Sequence, residues 1–378
     1  MNKKYWLAIA TMAGTIIGVG MFGLPYVSAQ SGLSIGIIYL VLLTCLTAIF
    51  HLSYGEIVLR TKEEFRFVGY GGWYLGAFAK KILTLSTIGG LIGGQIAYII
   101  VGGIFLNEIF ISLGYGLFFW QIVNFVIASL IVFFGLRIVS RVELWMSGFL
   151  VLVIVFVFFS GLPYIDIGNF TSLNMSNIFL PYGVVLFSLF GGVAVPEVVR
   201  LLKGRDGEIK DAILWGTFIP GILYILFVIT VLGIVGASVT SEPVSDLVPY
   251  LGRVITFGGF IFGFIACFTS YISFGEGLKK IFQLDLDINK ILSWAMSMVV
   301  PFLFFLSLQD ESFINIIGLV GAVFGGINSA ALMMILQKAK IKGDRSPEYS
   351  LRLPILAGAI ITFLMLLGVV LQIIYWQI

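Results

Sequence analysis

Charged residues are scarce in this chain of 378 residues, because Asp, Glu, Lys and Arg together make up only 11% of it. Soluble domains carry about 25%, and so few charges cannot cover a water-exposed surface, so a soluble globular protein is excluded. The hydrophobic content of 60% is far too high for a disordered chain. A polytopic membrane protein remains. Its apolar segments are long and continuous, which predicts spanning helices and not a barrel of short alternating strands.

Residues that hold metals or form disulfides are also few. The two cysteines, Cys45 and Cys267, lie far apart in apolar runs and are expected to pack as small core residues. The lone histidine, His51, cannot build a zinc site without further ligands. We therefore expect no cofactor and no metal beyond a candidate sodium ion. The net charge of +3 gives no sign of a nucleic-acid partner.

Runs of about 20 apolar residues indicate helices that cross a bilayer, and the sequence contains eleven. They are predicted at 5–28, 33–59, 82–106, 117–136, 144–163, 178–200, 212–236, 252–278, 289–308, 314–337 and 354–376. The first has the charged start of a signal peptide, but it runs on to about Ser28, so a retained helix is expected. The prediction is an all-α membrane protein with one transmembrane domain over 1–378.

The basic residues predict the orientation of these spans. If the spans alternate, all but one of the 22 Lys and Arg residues fall on one side of the membrane, the exception being Arg253. Because Lys and Arg accumulate in cytoplasmic segments, the N-terminus is predicted to be cytoplasmic. An odd number of spans then places Ile378 outside. The longest cytoplasmic segment, 60–81, mixes aromatic residues with glycines and is predicted to lie at the membrane surface.

The spans also divide into two blocks of similar length. The first five occupy 5–163 and the next five 178–337, with an additional C-terminal helix at 354–376. Because five is odd, the second block begins on the opposite side of the membrane from the first. This is the length pattern of an inverted repeat.

The first helix of each block carries an interruption. Glycines from Gly14 to Gly23 precede Pro25 in the first block, and Gly191 and Gly192 precede Pro196 in the second. Glycine permits unwinding, and an unwound segment frees backbone groups that must face a ligand or a cavity. Paired interruptions in equivalent helices therefore predict helices one and six unwound at mid-membrane around a transport site.

The same glycines allow other interpretations. Gly14 and Gly18 form a GxxxG pattern, which can simply bring two helices close together. The glycines from Gly18 to Gly23 match the dinucleotide-binding fingerprint, but no strand precedes them and they lie within a predicted span. The pairing of two interruptions across the repeat favours the transport site.

Short motifs along nearly the whole chain carry a family resemblance. They are the string Gly14 to Pro25, Glu56, Phe187-Ser188 to Pro196-Glu197, Asp211 to Pro220, and Ala266 to Thr269-Ser270. In these the chain resembles the aromatic and hydroxy amino acid permeases, relatives of tryptophan, tyrosine and serine permeases in the amino acid–polyamine–organocation superfamily. Pro196-Glu197 is equally similar to the amino acid/auxin permeases. The resemblance implies the five-plus-five fold of the bacterial leucine transporter, alternating access and a prokaryotic cell membrane.

The resemblance also implies where a zwitterionic amino acid would bind. Backbone amides of Val19 and Gly20 would face its carboxylate, helped by the positive end of the following half-helix, and the Tyr98 hydroxyl would join them unless it is only a core tyrosine. Carbonyls would face the ammonium, and glycines would leave room for a large apolar or aromatic side chain. The substrate candidates are Ile16, Gly18, Val19, Gly20, Gly94, Tyr98, Phe187, Ser188, Phe190 and Gly191.

A cation site is implied on the predicted eighth span. Thr269 and Ser270, with the carbonyl of Ala266, share one face of that helix opposite the carbonyls of Gly14 and Ile17. Five oxygens of this kind suit sodium, and they resemble the sodium site shared within the superfamily. The alternative is that both hydroxyls bond back to their own helix. Some relatives with the same hydroxyl pair use protons, so the resemblance implies Na⁺ or H⁺ as coupling ion without deciding between them.

Ionisable residues inside predicted spans are functional candidates, because burying them in lipid is costly. They are His51, Glu56, Glu197 and Glu276. His51, Glu56 and Glu197 are candidates for gating or for carrying a proton, and the carboxylates near the cytoplasmic ends favour ion pairs with loop arginines. The role of Glu276 stays open.

The predicted function is a secondary active amino acid transporter, not an enzyme. No nucleophile with a base, no ATP-binding domain and no filter sequence is visible. The alternative is a transporter-like sensor that binds an amino acid and signals through a partner, although the sequence offers no large signalling domain. The expected partners are the amino acid and the lipid bilayer, with no obligatory protein partner evident.

Overall fold

The computed structural model describes residues 3–135, 139–170, 173–308 and 311–377, and the side chains of these residues except 139–147, 150, 206 and 375–377. Arg137 and Ile378, and the side chain of Arg141, all used in the orientation argument, lie outside the described part. Within it the chain consists of helices and connecting segments, with no strand. The all-α prediction is confirmed.

Sixteen α-helices make up the described part. In chain order they are α1 (Lys3–Ile16), α2 (Gly20–Ser31), α3 (Leu33–Arg60), α4 (Phe67–Leu75), α5 (Ala77–Ile109), α6 (Leu117–Phe134), α7 (Val139–Gly161), α8 (Leu180–Ser188), α9 (Val195–Leu201), α10 (Asp206–Val235), α11 (Pro243–Asp246), α12 (Val248–Lys280), α13 (Lys290–Ser307), α14 (Phe313–Leu319), α15 (Gly326–Lys342) and α16 (Ile355–Gln377). A π-helical segment, Val320–Gly325, joins α14 to α15.

Nine helical segments of the described chain are long and apolar enough to cross a membrane, and the bent pair α1 and α2 makes a tenth. A shorter apolar segment, Val151–Tyr164, overlaps the predicted fifth span. The count of eleven therefore stays a prediction. Large apolar side chains such as Leu85, Phe134 and Phe363 are more than 60% exposed, as expected for a surface solvated by lipid tails. The chain is an integral membrane protein.

The helices that matter for the site are the two interrupted ones and those around them. α12 packs along α5, α1 packs against α10, and α2 packs against α8. α3 contacts both α8 and α9. The segment predicted to lie at the membrane surface contains the short helix α4, and the left-handed Gly76 (φ 90°) separates it from α5.

Candidate functional site

The first interruption falls between Ile16 and Gly20. α1 and α2 meet there at an angle of 53°, and Val19 in the connecting segment is fully buried. Gly18 has no room for a side chain, because an added Cβ would lie 2.5 Å from the Tyr98 hydroxyl and 2.9 Å from the Ser270 hydroxyl. Glycine is thus required here by the close approach of α5 and α12.

The second interruption falls between α8 and α9. α8 ends at Ser188, a 3₁₀ turn covers Gly192–Ala194, and Pro196 stands in the first turn of α9, where its missing N–H does no harm. The two interruptions touch each other. A Cβ at Gly20 would lie 2.7 Å from Ser188 Cα, and one at Gly191 would lie 2.9 Å from Ile16 Cδ1.

A fully buried tyrosine of α10 joins the two interruptions. The Tyr224 hydroxyl bonds to the Ile16 carbonyl at 2.7 Å and to the Ser188 carbonyl at 3.0 Å. The backbone N–H of Gly18 lies beside the same hydroxyl. Tyr224 therefore satisfies backbone groups that unwinding leaves without helical partners, and it holds the ends of α1 and α8 together.

His51 of α3 holds the second interruption from another side. Its Nε2 accepts from the backbone N–H of Gly191 at 3.2 Å, and its Nδ1 is 2.9 Å from Thr217 Oγ1. Since Thr217 donates its own proton to the Ile213 carbonyl, Nδ1 must carry the imidazole proton. Both nitrogens of a neutral imidazole are thereby used, which gives His51 a positioning role.

Of the predicted cation residues on α12, Ser270 contacts the first interruption. Ser270 Oγ lies 3.1 Å from the carbonyl oxygens of both Gly14 and Ile17. One hydroxyl proton can serve only one of these carbonyls fully. Thr269 instead bonds back to the carbonyls of Ile265 and Ala266, at 3.0 and 3.2 Å. Ser270 and the carbonyls of Gly14 and Ile17 thus form a group of three hard oxygen atoms, a chemistry that fits sodium, while Thr269 follows the alternative in which the hydroxyl bonds back to its own helix.

Tyr98 and Gly94 lie in an aromatic cluster between α5 and α12. Tyr98 is 5.3 Å from Phe274 between ring centroids and 6.2 Å from Tyr271. The Tyr98 hydroxyl lies beside the Ser270 side chain and the backbone N–H of Val19. The space that glycine leaves at Gly94 is filled by Phe274, whose ring would lie 2.6 Å from an added Cβ.

A cavity of about 270 Å³ begins beside the second interruption. Of the predicted site residues, only His51, Phe190 and Glu197 are among those that line it. Its wall is mainly apolar but includes several hydroxyl and amide side chains, namely Thr11, Thr15, Thr47, Thr87, Ser273, Asn328 and Ser329. Its mouth is charged, with Arg66, Arg200, Lys280 and Glu276 beside Glu197.

Glu197 sits at the centre of that charged mouth. Its carboxylate contacts Arg66 at 2.7 Å, Lys280 at 2.6 Å and Arg200 at 2.5 Å. These cations come from the segment before α4, from the end of α12 and from α9, so one carboxylate ties three elements together. The predicted ion pairs with loop arginines are present here.

The other two carboxylates are also paired. Glu56 is fully buried and accepts from Arg60, from the Ser350 hydroxyl and from the Leu351 amide at 2.7–2.8 Å. It therefore fastens the segment after α15 to the end of α3. Glu276 pairs with Lys279 at 3.0 Å.

The family model of the tryptophan/tyrosine permease family matches residues 1–376. The chain belongs to this family. Its members are transporters and not enzymes, so both the family resemblance and the exclusion of an enzyme are confirmed.

Two curated relatives of this permease extend over most of its length. It is 21% identical over 345 residues to glutamine transporter 2 of Aliivibrio fischeri, covering 85% of this chain and 86% of the relative. It is 24% identical over 389 residues to the tyrosine-specific transport system 2 of Haemophilus influenzae, covering 95% of each.

Solved structures identify the fold of the permease. One is Mhp1, a nucleobase-cation-symport-1 family transporter, in a closed conformation with bromovinylhydantoin bound. It superposes with a TM-score of 0.69 at 14% sequence identity, and the match covers 99% of this chain and 92% of Mhp1. MhsT in complex with L-phenylalanine has a TM-score of 0.67 at 13% identity over 99% and 98%. The fold is of the leucine-transporter type.

Sequence reasoning missed three residues of the permease site. Tyr224 joins the interruptions, Phe274 fills the space beside Gly94, and Asn328 lines the cavity. Tyr224 and Asn328 did carry a signal, because a polar group in the middle of an apolar span must find a partner. Phe274 carried none, because phenylalanine is ordinary on every face of a membrane helix.

Proposed function

We propose that this permease is a secondary active transporter of amino acids that works by alternating access. The observation that carries the proposal is the contact between the two interrupted helices beside a cavity of about 270 Å³. Unwound backbone at membrane depth is tolerated only where it is buried in protein or lines a polar cavity. Two such segments, brought together from the two halves of the chain, form the kind of site that transporters use for charged substrates.

An amino acid would bind with its charged end at the interruptions. Its carboxylate would meet the Val19 and Gly20 amides at the start of α2, together with the Tyr98 hydroxyl that already lies beside Val19. Its ammonium would meet carbonyls at the end of α8, from Phe187 to Phe190. The aromatic rings of Phe187, Phe190 and Phe274 favour a large apolar or aromatic side chain. The names of the two relatives, a glutamine and a tyrosine transporter, favour an amino acid substrate.

The charged mouth of the cavity would be the cytoplasmic gate. All the cations around Glu197 belong to segments assigned to the cytoplasm by the positive-inside rule. We further propose the five-plus-five inverted repeat over 5–163 and 178–337, with eleven spans, a cytoplasmic N-terminus and an outside C-terminus. Opening of the Glu197 cluster would release substrate inward.

Sodium is the coupling ion we propose, held by Gly14, Ile17, Ala266, Thr269 and Ser270. The contact of Ser270 with two carbonyls of the interrupted segment supports this choice. An ion there would tie α12 to the segment whose amides meet the carboxylate. Ion and substrate would then raise each other's affinity by the same factor, as linkage requires.

The test is substrate affinity measured against sodium concentration at fixed pH. We expect sodium to tighten binding to the wild type at least tenfold and to have no effect on Thr269→Ala/Ser270→Ala. The matched control is Thr256→Ala on the same helix, whose hydroxyl bonds back to Gly252. Equal sodium enhancement in the wild type and the double variant would place the ion elsewhere. Absence of a sodium effect on the wild type, with affinity that changes with pH, would favour a proton-coupled cycle.

A further inference from the structure

A larger cavity lies on the side of the helix bundle. It has a volume of about 920 Å³, against about 270 Å³ for the cavity beside the second interruption, and the two share no lining residue. α5 forms one wall, residues of α13 and α14 form the other, and the π-helical segment Val320–Gly325 contributes to the floor. We call this cavity the lateral groove.

The lateral groove is apolar between two charged ends. α5 lines it with one face, whose residues recur every three or four positions from Lys80 to Ile96. Leu85 and Phe304 in this lining are 75% and 50% exposed. Thr84 is the one neutral polar residue in the described lining, and its hydroxyl already donates to the Lys80 carbonyl at 2.7 Å. A ligand would therefore find apolar contacts along the groove and charged groups at its ends.

Glycines of α5 bring the floor of the groove close and fix its direction. An added Cβ at Gly89 would lie 2.9 Å from the Phe324 ring, and one at Gly93 would lie 2.3 Å from the Val320 side chain. Later residues of α5 thus meet earlier residues of the π-helical segment, so the two elements run antiparallel. Glu311, which precedes α14, therefore lies at the end of the groove opposite the start of α5.

The groove is long enough for the acyl chain of a lipid. The 16 residue steps from Lys80 to Ile96 span about 24 Å, at 1.5 Å per helical residue. The hydrocarbon layer of one membrane leaflet is about 15 Å deep. One acyl chain can therefore lie against α5 through the whole depth of a leaflet.

The charged end of the groove decides which lipid is favoured, because lipid tails are as apolar as the leucines they contact. Lys80 and Lys81 stand there, in the first turns of α5. Lys80 Nζ donates to the Asp285 carbonyl at 2.7 Å, which uses one of its three donors, and Lys81 is exposed. Across the described ranges no carboxylate lies within ion-pair distance of either ammonium. This end complements an anionic headgroup, which Glu311 would repel from the other end.

We propose that the lateral groove binds one anionic phospholipid, with an acyl chain along α5 and the phosphate at Lys80 and Lys81. Each basic residue near a membrane surface favours an anionic lipid about fivefold. A zwitterionic lipid fits the same groove but carries its own cation, which the lysines repel. The site is separate from the proposed amino acid site and does not depend on the transport function.

The experiment compares two lipids that differ only in the headgroup. Phosphatidylglycerol and phosphatidylcholine with identical acyl chains are titrated into the purified full chain in detergent, and bound lipid is counted by native mass spectrometry. We expect the wild type to bind the first phosphatidylglycerol about fivefold more tightly. Lys80→Gln/Lys81→Gln should reduce that preference to less than about twofold. The control Lys338→Gln/Lys342→Gln removes two exposed lysines from the end of α15 and should keep the preference.

Two further variants separate the groove from the charges. Ile88→Trp fills the middle of the groove and should weaken binding of both lipids at least threefold. Leu130→Trp places the same ring on α6, at a position that is 52% exposed and outside the groove lining, and should change neither. Lys81→Gln alone leaves the Lys80 bond to Asp285 in place and should halve the preference, which decides the matter if the double lysine variant does not fold.

Several results would overturn the lipid site. Equal affinity of the wild type for the two lipids would do so, as would a preference that survives both Lys80→Gln/Lys81→Gln and Lys81→Gln. Unchanged lipid binding in Ile88→Trp would show that lipid does not occupy the groove. If Ile88→Trp instead dissociates a dimer of the wild type, measured by light scattering, and leaves lipid binding unchanged, the occupant is a second copy of this chain.

Discussion

The two ends of the central helices are closed by different physical means. Near the last turns of α5, the buried rings of Phe105 and Phe227 both contact Phe22, in the first turn of α2, with centroids 4.9 and 6.1 Å from it. The space left there amounts to about 20 Å³. We call this the aromatic end. At the opposite, basic end, the cavity of about 270 Å³ reaches the surface at Arg200, whose side chain is 68% exposed.

This difference indicates which end opens more readily. Separating packed aromatic rings loses dispersion contacts and exposes apolar area. At the basic end water reaches the ion pairs, whose side chains are 15–68% exposed, and water can solvate the charges once they separate. The aromatic end is therefore a firm seal and the basic end a loose one. In a transport cycle the end that is closed more firmly must alternate. The interruptions lie between the two ends.

The largest effect is expected for a change at the interruptions themselves. Gly20→Val would place a branched side chain against the Ser188 backbone and force α2 away from α8. Substrate affinity should fall about a hundredfold, because amides aimed at the carboxylate are displaced and each charge-assisted hydrogen bond is worth roughly 1.5–3 kcal/mol. The measurement is substrate binding to purified protein. Gly258→Val on α12, where an added side chain meets open space, is the control. Near-normal affinity in Gly20→Val would show that this segment serves packing alone.

A smaller effect is expected from loosening the interruptions without filling space. Tyr224→Phe removes the hydroxyl that bridges the Ile16 and Ser188 carbonyls. We expect about a tenfold loss of substrate affinity and a lower melting temperature, since two buried carbonyls lose a partner. The exposed Tyr115→Phe should change neither quantity. A lower melting temperature with unchanged affinity would show that Tyr224 only stabilises the fold. It would also show that substrate affinity does not depend on how the ends of α1 and α8 are held.

The smallest effect should come from the loose seal. Glu197→Gln removes the negative charge that holds three cations together at the basic end. We expect labelling of Ser273→Cys, inside the cavity, to become about threefold faster in a background without Cys45 and Cys267. Raising the ionic strength should reduce the difference in labelling rate between proteins with and without Glu197→Gln, because salt screens the repulsion among the cations. Glu208→Gln, which breaks the exposed pair with Arg205, serves as the control. Slower labelling of the Glu197→Gln variant would contradict the gate.

Features that depend on local chain chemistry could be predicted. Both interruptions appear where glycines permit unwinding, and at the second one Pro196 stands in the first turn of the new helix, α9. Pro25, in contrast, lies inside α2. The meeting of Ser270 with Gly14 and Ile17 came from the family resemblance and is present in the structure. Gly94 shows the limit of local reasoning. Its lack of a side chain does predict open space, but a ring from another helix, Phe274, fills that space.

His51 illustrates why roles need the tertiary structure. A histidine inside a membrane span is by itself a candidate for proton transfer, and its neighbours in sequence do not decide otherwise. Its partners, Thr217 of α10 and the Gly191 amide of the second interruption, are 166 and 140 residues away in the chain. Because these two partners occupy both imidazole nitrogens, His51 holds the second interruption in position.

Composition and hydropathy by themselves determined that this chain is a helical membrane protein. A helix satisfies its own backbone hydrogen bonds in lipid, and its contact with lipid requires a long run of apolar residues that is visible in the sequence. The glycines likewise determined where two of those helices are interrupted. The tertiary structure decided what the interruptions touch, which cavity they line and which end is sealed. Those properties arise from contacts between segments that are distant in the chain. Helix packing decides where a single ring or hydroxyl lies, and no local sequence pattern encodes that packing.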